Sequence, residues 1–164
     1  KILRLSPAST GAVLAGKLAV AGLVAAFGLA LAVLLIVFGY GVVPVAPWTT
    51  ALALLACVAI FTSLGAWVGA VLKRTLAAVP LLFGLAMPLY IDSGALEPTR
   101  FDGETIWVIA HLSPVYYAVG VLEWSFHRLH VTPEPVYVDM LVLVAMAVVA
   151  VMLTLHRLAR ATTR

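Results

Sequence analysis

The chain has 164 residues, 64% of them hydrophobic and only 10% charged, whereas about 25% of a soluble domain's residues are charged. Together with a mean hydropathy of +1.14, this excludes an ordinary soluble domain. The net charge of +3 does not point to nucleic acid, because the basic residues flank apolar runs, where positive-inside bias and anionic lipid account for them.

The opening segment, KILRLSPASTGAVLAGK (Lys1–Lys17), is polar by the standard of this chain. Ser6-Pro7 signals a turn or helix start, and Ala8, Val13, Leu14 and Leu18 predict a short helix along the membrane surface. Gly11 and Gly16 leave room for another protein. The first ten residues read as the interior of a loop, so further spans are expected upstream.

Four long apolar runs follow, Gly16–Val43, Trp48–Leu72, Thr75–Ile91 and Val136–Leu155, each near or above the ~20 residues a helix needs to cross a membrane. The first run is rich in small residues (Gly22, Ala25, Ala26, Gly28, Ala30, Ala32), which favour close helix packing. GVVPVAP (Gly41–Pro47) is a short turn, with Trp48 at the interface. The second run carries Gly65 and Gly69, a small-xxx-small pair, and its Cys57, the only cysteine, reads as a small buried hydrophobe with no partner for an intrachain disulfide. Pro80 and Pro88 in the third run predict kinks, serving packing or shaping a path.

Lys1, Arg4, Lys17, Lys73, Arg74, Arg157, Arg160 and Arg164 lie at one set of run ends. All seven acids (Asp92, Glu97, Asp102, Glu104, Glu123, Glu134, Asp139) lie between the third run and the start of the fourth, with only Arg100 and Arg128 among them. The positive-inside rule then places both ends of the chain in the cytoplasm and the acidic segment outside. The expected fold is an all-α membrane protein with four transmembrane helices. Its parts are a cytoplasmic region (1–15), three spans (16–92), an outer segment (93–135), and a last span with a basic tail (136–164).

Within the outer segment, Thr105–Ala110 and Val115–Leu129 are helix-compatible pieces too short to span, separated by His111-Leu112-Ser113-Pro114. They predict a re-entrant helical hairpin with Trp107, Tyr116, Tyr117 and Trp124 at interfacial depth.

Chemistry-bearing patterns are sparse. Gly11–Lys17 (GAVLAGK) has the glycine spacing of a phosphate loop, but Leu18 replaces the hydroxyl that would meet magnesium. Glu123, His127 and His130, at i, i+4 and i+7, would share one helix face and form a weak metal or proton site; the plainer reading is a solvated polar face. His111 reads as a turn-stabilising residue and His156 as a helix-end residue favoured by the dipole. Apart from Asp139 no run carries an acid, which argues against ion-coupled pumping within this chain alone.

Three stretches resemble the ABC-2 type permease family, the membrane subunits of a class of ATP-driven exporters. Leu3–Leu18 (LRLSPASTGAVLAGKL) looks like the cytoplasmic coupling region before the third span. Pro80–Pro98 (PLLFGLAMPLYIDSGALEP) is similar to the fifth span with its exit, although Asp92 precedes Ser93-Gly94 where the family usually has an apolar residue. His111–Trp124 (HLSPVYYAVGVLEW) resembles the stretch closing the outer hairpin.

The resemblance implies a six-span permease of which these are spans three to six, in the plasma membrane. It implies pairing with a second permease copy, homo- or heterodimeric, and with an ATP-binding cassette subunit that holds ATP and magnesium, this chain binding no cofactor. Ser6, Pro7, Ser9, Thr10, Gly11, Gly16 and Lys17 would couple to that subunit. Gly65, Gly69, Pro80 and Pro88 would be hinge or packing positions, and Ser93, Gly94, Pro98, Ser113, Pro114 and Tyr117 an outer gate. The cargo would be a drug-like molecule, a lipid or a lipid-linked polymer. Two other readings stand beside this one: a membrane enzyme acting on lipid through Glu123, His127 and His130, and a non-transporting anchor subunit.

Overall fold

A computed structural model describes residues 10–71, 75–91, 93, 104–130 and 132–162. These residues form six helices: α1 (Thr10–Tyr40), α2 (Pro47–Val71), α3 (Thr75–Ile91), α4 (Glu104–Leu112), α5 (Pro114–His127) and α6 (Val136–Thr162). At 1.5 Å per residue α1, α2 and α6 are about 46, 38 and 40 Å long, enough to cross a hydrocarbon core of about 30 Å. These are the three described helices long and apolar enough to span; α3, with 17 residues, is shorter.

The starts of α2, α3 and α6 agree with the apolar runs to within a residue. The first run differs. Among the described residues no break sets a separate surface helix off from it: α1 is unbroken from Thr10 to Tyr40. After Pro7 the sequence holds no proline before Pro44, and Gly16 costs a helix interior only about 1 kcal/mol relative to Ala.

The core lies among α2, α5 and α6. Ala53, Ala56 and Ile60 from α2 meet Tyr116, Tyr117, Ala118 and Val121 from α5 and Leu143 and Ala147 from α6. On α6 the buried positions Asp139, Leu143 and Ala147 recur every four residues, a single helical stripe. Small side chains on both long helices allow close approach, which matters because lipid removes the hydrophobic drive between spans. Thr62 and Thr154 spend their hydroxyls on Val58 O (2.6 Å) and Ala150 O (2.8 Å) one turn back.

Around this core, α1 packs against α2 and α6, α3 against α2 and α5, and α4 against α5. None of the described α1 side chains is buried, and Leu23, Phe27, Leu35 and Phe38 face outward, as lipid-facing residues would.

Contacts fix which ends lie together. Val45 and Ala46, between α1 and α2, donate backbone N–H groups to Ser125 O in α5 (2.8 and 3.1 Å). Ser113 at the start of α5 donates to Leu89 O near the end of α3 (3.3 Å). At the opposite end Arg157 of α6 stacks its guanidinium on Trp67 of α2, 4.2 Å from the ring centroid. The described acids of the outer segment therefore share the α5 end. Trp48, 86% exposed, begins α2 there, suiting an interfacial aromatic.

Of the expected packing glycines, a Cβ built at Gly65 would meet nothing within 4 Å among the described residues. The surroundings of Gly69 lie outside the description. Pro80 and Pro88 both stand inside α3.

Helix α1 ends through Gly41, whose φ of +68° lets its N–H reach Val37 O (3.0 Å), a left-handed cap. Gly41→Ala is expected to cost about 1–2 kcal/mol and to lower the melting temperature in detergent. Gly28→Ala, where a Cβ meets nothing within 4 Å, should leave it unchanged or slightly raised.

Candidate functional site

The polar residues of this protein converge on α5. Its N-terminus is built by Ser113-Pro114: Ser113 is extended (φ −86°, ψ 125°), its hydroxyl accepts from Val115 N (3.2 Å), and Pro114 takes the first helical turn. Arg128 stops the helix in the left-handed conformation (φ 57°), its N–H returning to Trp124 O (2.9 Å) and its guanidinium lying 4.0 Å from the centre of the Trp124 ring.

Near its C-terminus α5 is pinned to the start of α2. Ser125 is fully buried and donates to Ala46 O (2.7 Å). The hydroxyls of Thr49 and Thr50 both reach Ser125 Oγ. This knot satisfies groups that burial would otherwise strand.

Midway along, α5 meets α6 at Gly120. A Cβ there would sit 2.6 Å from Asp139 Oδ2 and 2.8 Å from Thr132 Cγ2, closer than real atoms pack. The absent side chain makes room for a buried polar pair, in which Thr132 donates to Asp139 Oδ2 (2.6 Å). Asp139 is 0% exposed, and its other oxygen, Oδ1, has no hydrogen-bond partner among the described residues.

At the first turn of α5 a third cluster joins α4 to the segment before α6. The His111 ring lies tilted against Trp107 and Tyr116 (interplanar angles 45° and 38°), with centroids 4.1 and 4.6 Å away. Its Nε2 lies 3.1 Å from Glu134 Oε1, while Tyr116 donates its hydroxyl to Glu134 Oε2 (3.2 Å). Tyr117 donates to His111 O (3.0 Å). Burial, reinforced by the Glu134 carboxylate, raises the pKa of the Tyr116 phenol, and the same two causes raise that of Tyr117. Both therefore stay protonated donors.

The expected gate residues are partly brought together. Ser113, Pro114 and Tyr117 stand at the junction of α3, α4 and α5, and Ser93 closes the last turn of α3 through Tyr90 O. Gly94 and Pro98 lie outside the described residues. So do Ser6, Pro7 and Ser9 of the coupling region; Thr10 and Gly11 open α1, and Gly16 and Lys17 are exposed along it.

The shared face of Glu123, His127 and His130 does not form, because α5 ends at His127 and Arg128 turns the backbone left-handed before His130. Among the described residues no three His, Cys, Asp or Glu side chains are grouped to hold a metal.

Sequence reasoning passed over Gly120, Ser125 and Glu134. A glycine between Val119 and Val121 inside a helix was the available signal, since such a glycine is costly unless packing requires it.

The ABC-2 type transporter family model matches residues 2–127, more than half of the chain. This chain belongs to the ABC-2 type transporter family. No curated protein and no solved structure matches it. The match takes in α5 and ends before α6.

Gly120→Ala is expected to push α5 off α6 and destabilise the protein by about 1–3 kcal/mol, the cost of overpacking. Ser125→Ala should cost less, about 0.5–1.5 kcal/mol for a lost hydrogen bond, because Thr49 and Thr50 keep Ala46 O as an acceptor. Thermal unfolding of the purified protein in detergent checks both.

Proposed function

We propose that this chain is the membrane subunit of an ATP-driven exporter and moves an apolar or amphipathic molecule outward. One observation carries the reading: membership of the ABC-2 type transporter family in a chain with three helices long and apolar enough to cross a membrane. Family membership implies an ATP-binding cassette partner and a lipid environment. It also fits a transport subunit with no catalytic residues of its own.

In this reading α3 is a fourth span, and both ends of the chain face the cytoplasm. Several features support the orientation. Lys17, Arg157 and Arg160 fall toward the end away from α5, whereas Glu104, Glu123, Glu134 and Asp139 gather at the α5 end, the asymmetry expected of an inside and an outside. The pair α4–α5 forms the outer hairpin, dipping partway into the leaflet. Its exposed Val108, Ile109 and Leu112 supply a surface that lipid would cover.

The coupling surface is the segment from Ser6 to Lys17, docked on the ATP-binding subunit of a two-permease assembly. Because α1 is continuous from Thr10 to Tyr40, a push at its first turn would pass along a rigid rod toward the α5 end. Gly65, Gly69, Pro80 and Pro88 are the proposed packing and hinge positions, and Ser93, Gly94, Pro98, Ser113, Pro114 and Tyr117 the gate. The differential contacts that a two-state cycle needs would be made and broken there. The cargo in this reading is a drug-like molecule, a lipid or a lipid-linked polymer.

The test is a pull-down of the complete tagged protein from native membranes in mild detergent, with partners identified by mass spectrometry. A stoichiometric ATP-binding subunit is expected, and substitutions within Ser6–Gly16 should release it while the permease stays folded. A homomer free of any ATPase would overturn the reading.

A further inference from the structure

Holding both ring contacts of His111 at once requires one proton more than a neutral ring facing an ionised Glu134 carries. His111 Nδ1 lies 2.8 Å from Trp107 O. A carbonyl oxygen only accepts, so Nδ1 carries a hydrogen and donates. On the other side of the ring, Nε2 is 3.1 Å from Glu134 Oε1. In a neutral imidazole with its hydrogen on Nδ1, Nε2 presents a lone pair. An ionised carboxylate oxygen also presents only lone pairs. The second carboxylate oxygen is already an acceptor, taking the hydrogen of Tyr116.

We propose that His111 and Glu134 form a proton-binding site whose occupancy fastens α4 to the segment before α6. The proton resides on Nε2, giving an imidazolium–carboxylate pair, or on Oε1, giving a carboxylic acid that donates to Nε2. Either form makes one good hydrogen bond. Without that proton the ring has one hydrogen for two acceptors; kept on Nδ1, whose contact is the shorter (2.8 Å against 3.1 Å), it leaves two lone pairs face to face at Glu134, and that contact opens.

Asp139 of α6 interacts electrostatically with both residues. Tyr116 and Tyr117 face the ring from α5 as neutral donors, and Trp107 lies tilted against it from α4. Among the described residues His130 is a further titratable group, interacting with Asp139.

The consequence falls on α4, which packs mainly on α5. Among the described residues its side-chain hydrogen bonds to other elements are the His111–Glu134 link and the Tyr117 hydroxyl on His111 O, beside the backbone bond from Ser113 N to Ala110 O that closes its last turn. Losing the proton as pH rises removes the first and loosens the helix. This inference stands on the geometry of the pair and is independent of the transport reading.

A nitroxide at Leu112→Cys, an exposed position on α4, in a Cys57→Ala background reports the motion of this helix. The complete protein is reconstituted in lipid nanodiscs and its spin-label spectra are recorded from about pH 5 to pH 8, the span over which imidazole ordinarily changes charge. The immobilised component is expected to be lost as pH rises. Glu134→Gln should hold α4 immobile at every pH, because its carboxamide N–H can donate to the Nε2 lone pair while its carbonyl still accepts from Tyr116. Glu134→Ala should leave α4 mobile at every pH. A wild-type spectrum that ignores pH overturns the proposal. So does a Glu134→Gln spectrum that loosens with pH as the wild type does, or a Glu134→Ala spectrum as immobile as the wild type at low pH.

Discussion

The close approach of α5 to α6 at Gly120 is the constraint on which the α5 end of the protein depends. A helix with a side chain there could not lie against Asp139 and Thr132. With α5 held away, Tyr116 would lose its reach to Glu134 on the segment leading into α6, and Val121 its place against Leu143. One missing methyl group therefore sets the distance between two helices, and that distance sets the polar geometry at both ends of α5.

That geometry follows a division of labour imposed by lipid. Between spans the apolar surfaces gain little from leaving one another's company for lipid tails, so association rests on close van der Waals contact and on hydrogen bonds. Small residues provide the first along α2 and α6. The Ser125–Thr49–Thr50–Ala46 knot, the Thr132–Asp139 pair and the His111–Glu134–Tyr116 cluster provide the second. All three polar groups involve or flank α5, a helix too short to span. It behaves as a plug whose fit is specified by hydrogen bonds as well as by bulk.

The legibility of this protein in its sequence divides along the same line. Local signals were enough to place α2, α3 and α6, because apolar runs and their boundaries are properties of neighbouring residues. The separation of α4 from α5 was also legible, since Ser113-Pro114 is both a cap and a helix start. The early residues of α1 misled, because amphipathic-looking positions and a nearby turn signal suggested a break that the helix does not make. Glu134 gave no warning. It sits 23 residues from His111, and nothing in the spacing of a loop residue announces which ring it will meet. The Glu123–His127–His130 face failed for a local reason: the i, i+4, i+7 rule holds only while the helix lasts, and it ends at His127.

The same contacts separate a fixed body from its attachments. Helices α2, α5 and α6 share one buried core and the hydrogen bonds that lock it. By contrast α1 contributes no buried side chain among those described, α3 meets α5 through the Ser113 hydroxyl on Leu89 O, and α4 is held to the segment before α6 by the His111 cluster. A transporter needs some elements that hold shape and others with two alternative arrangements, since a packed core is bistable only at its interfaces. Among the described residues α1, α3 and α4 border the fixed body with few hydrogen bonds to it. They carry the proposed coupling segment, the two prolines and the proposed outer hairpin, so in the proposed cycle they are the parts with the fewest such bonds to surrender.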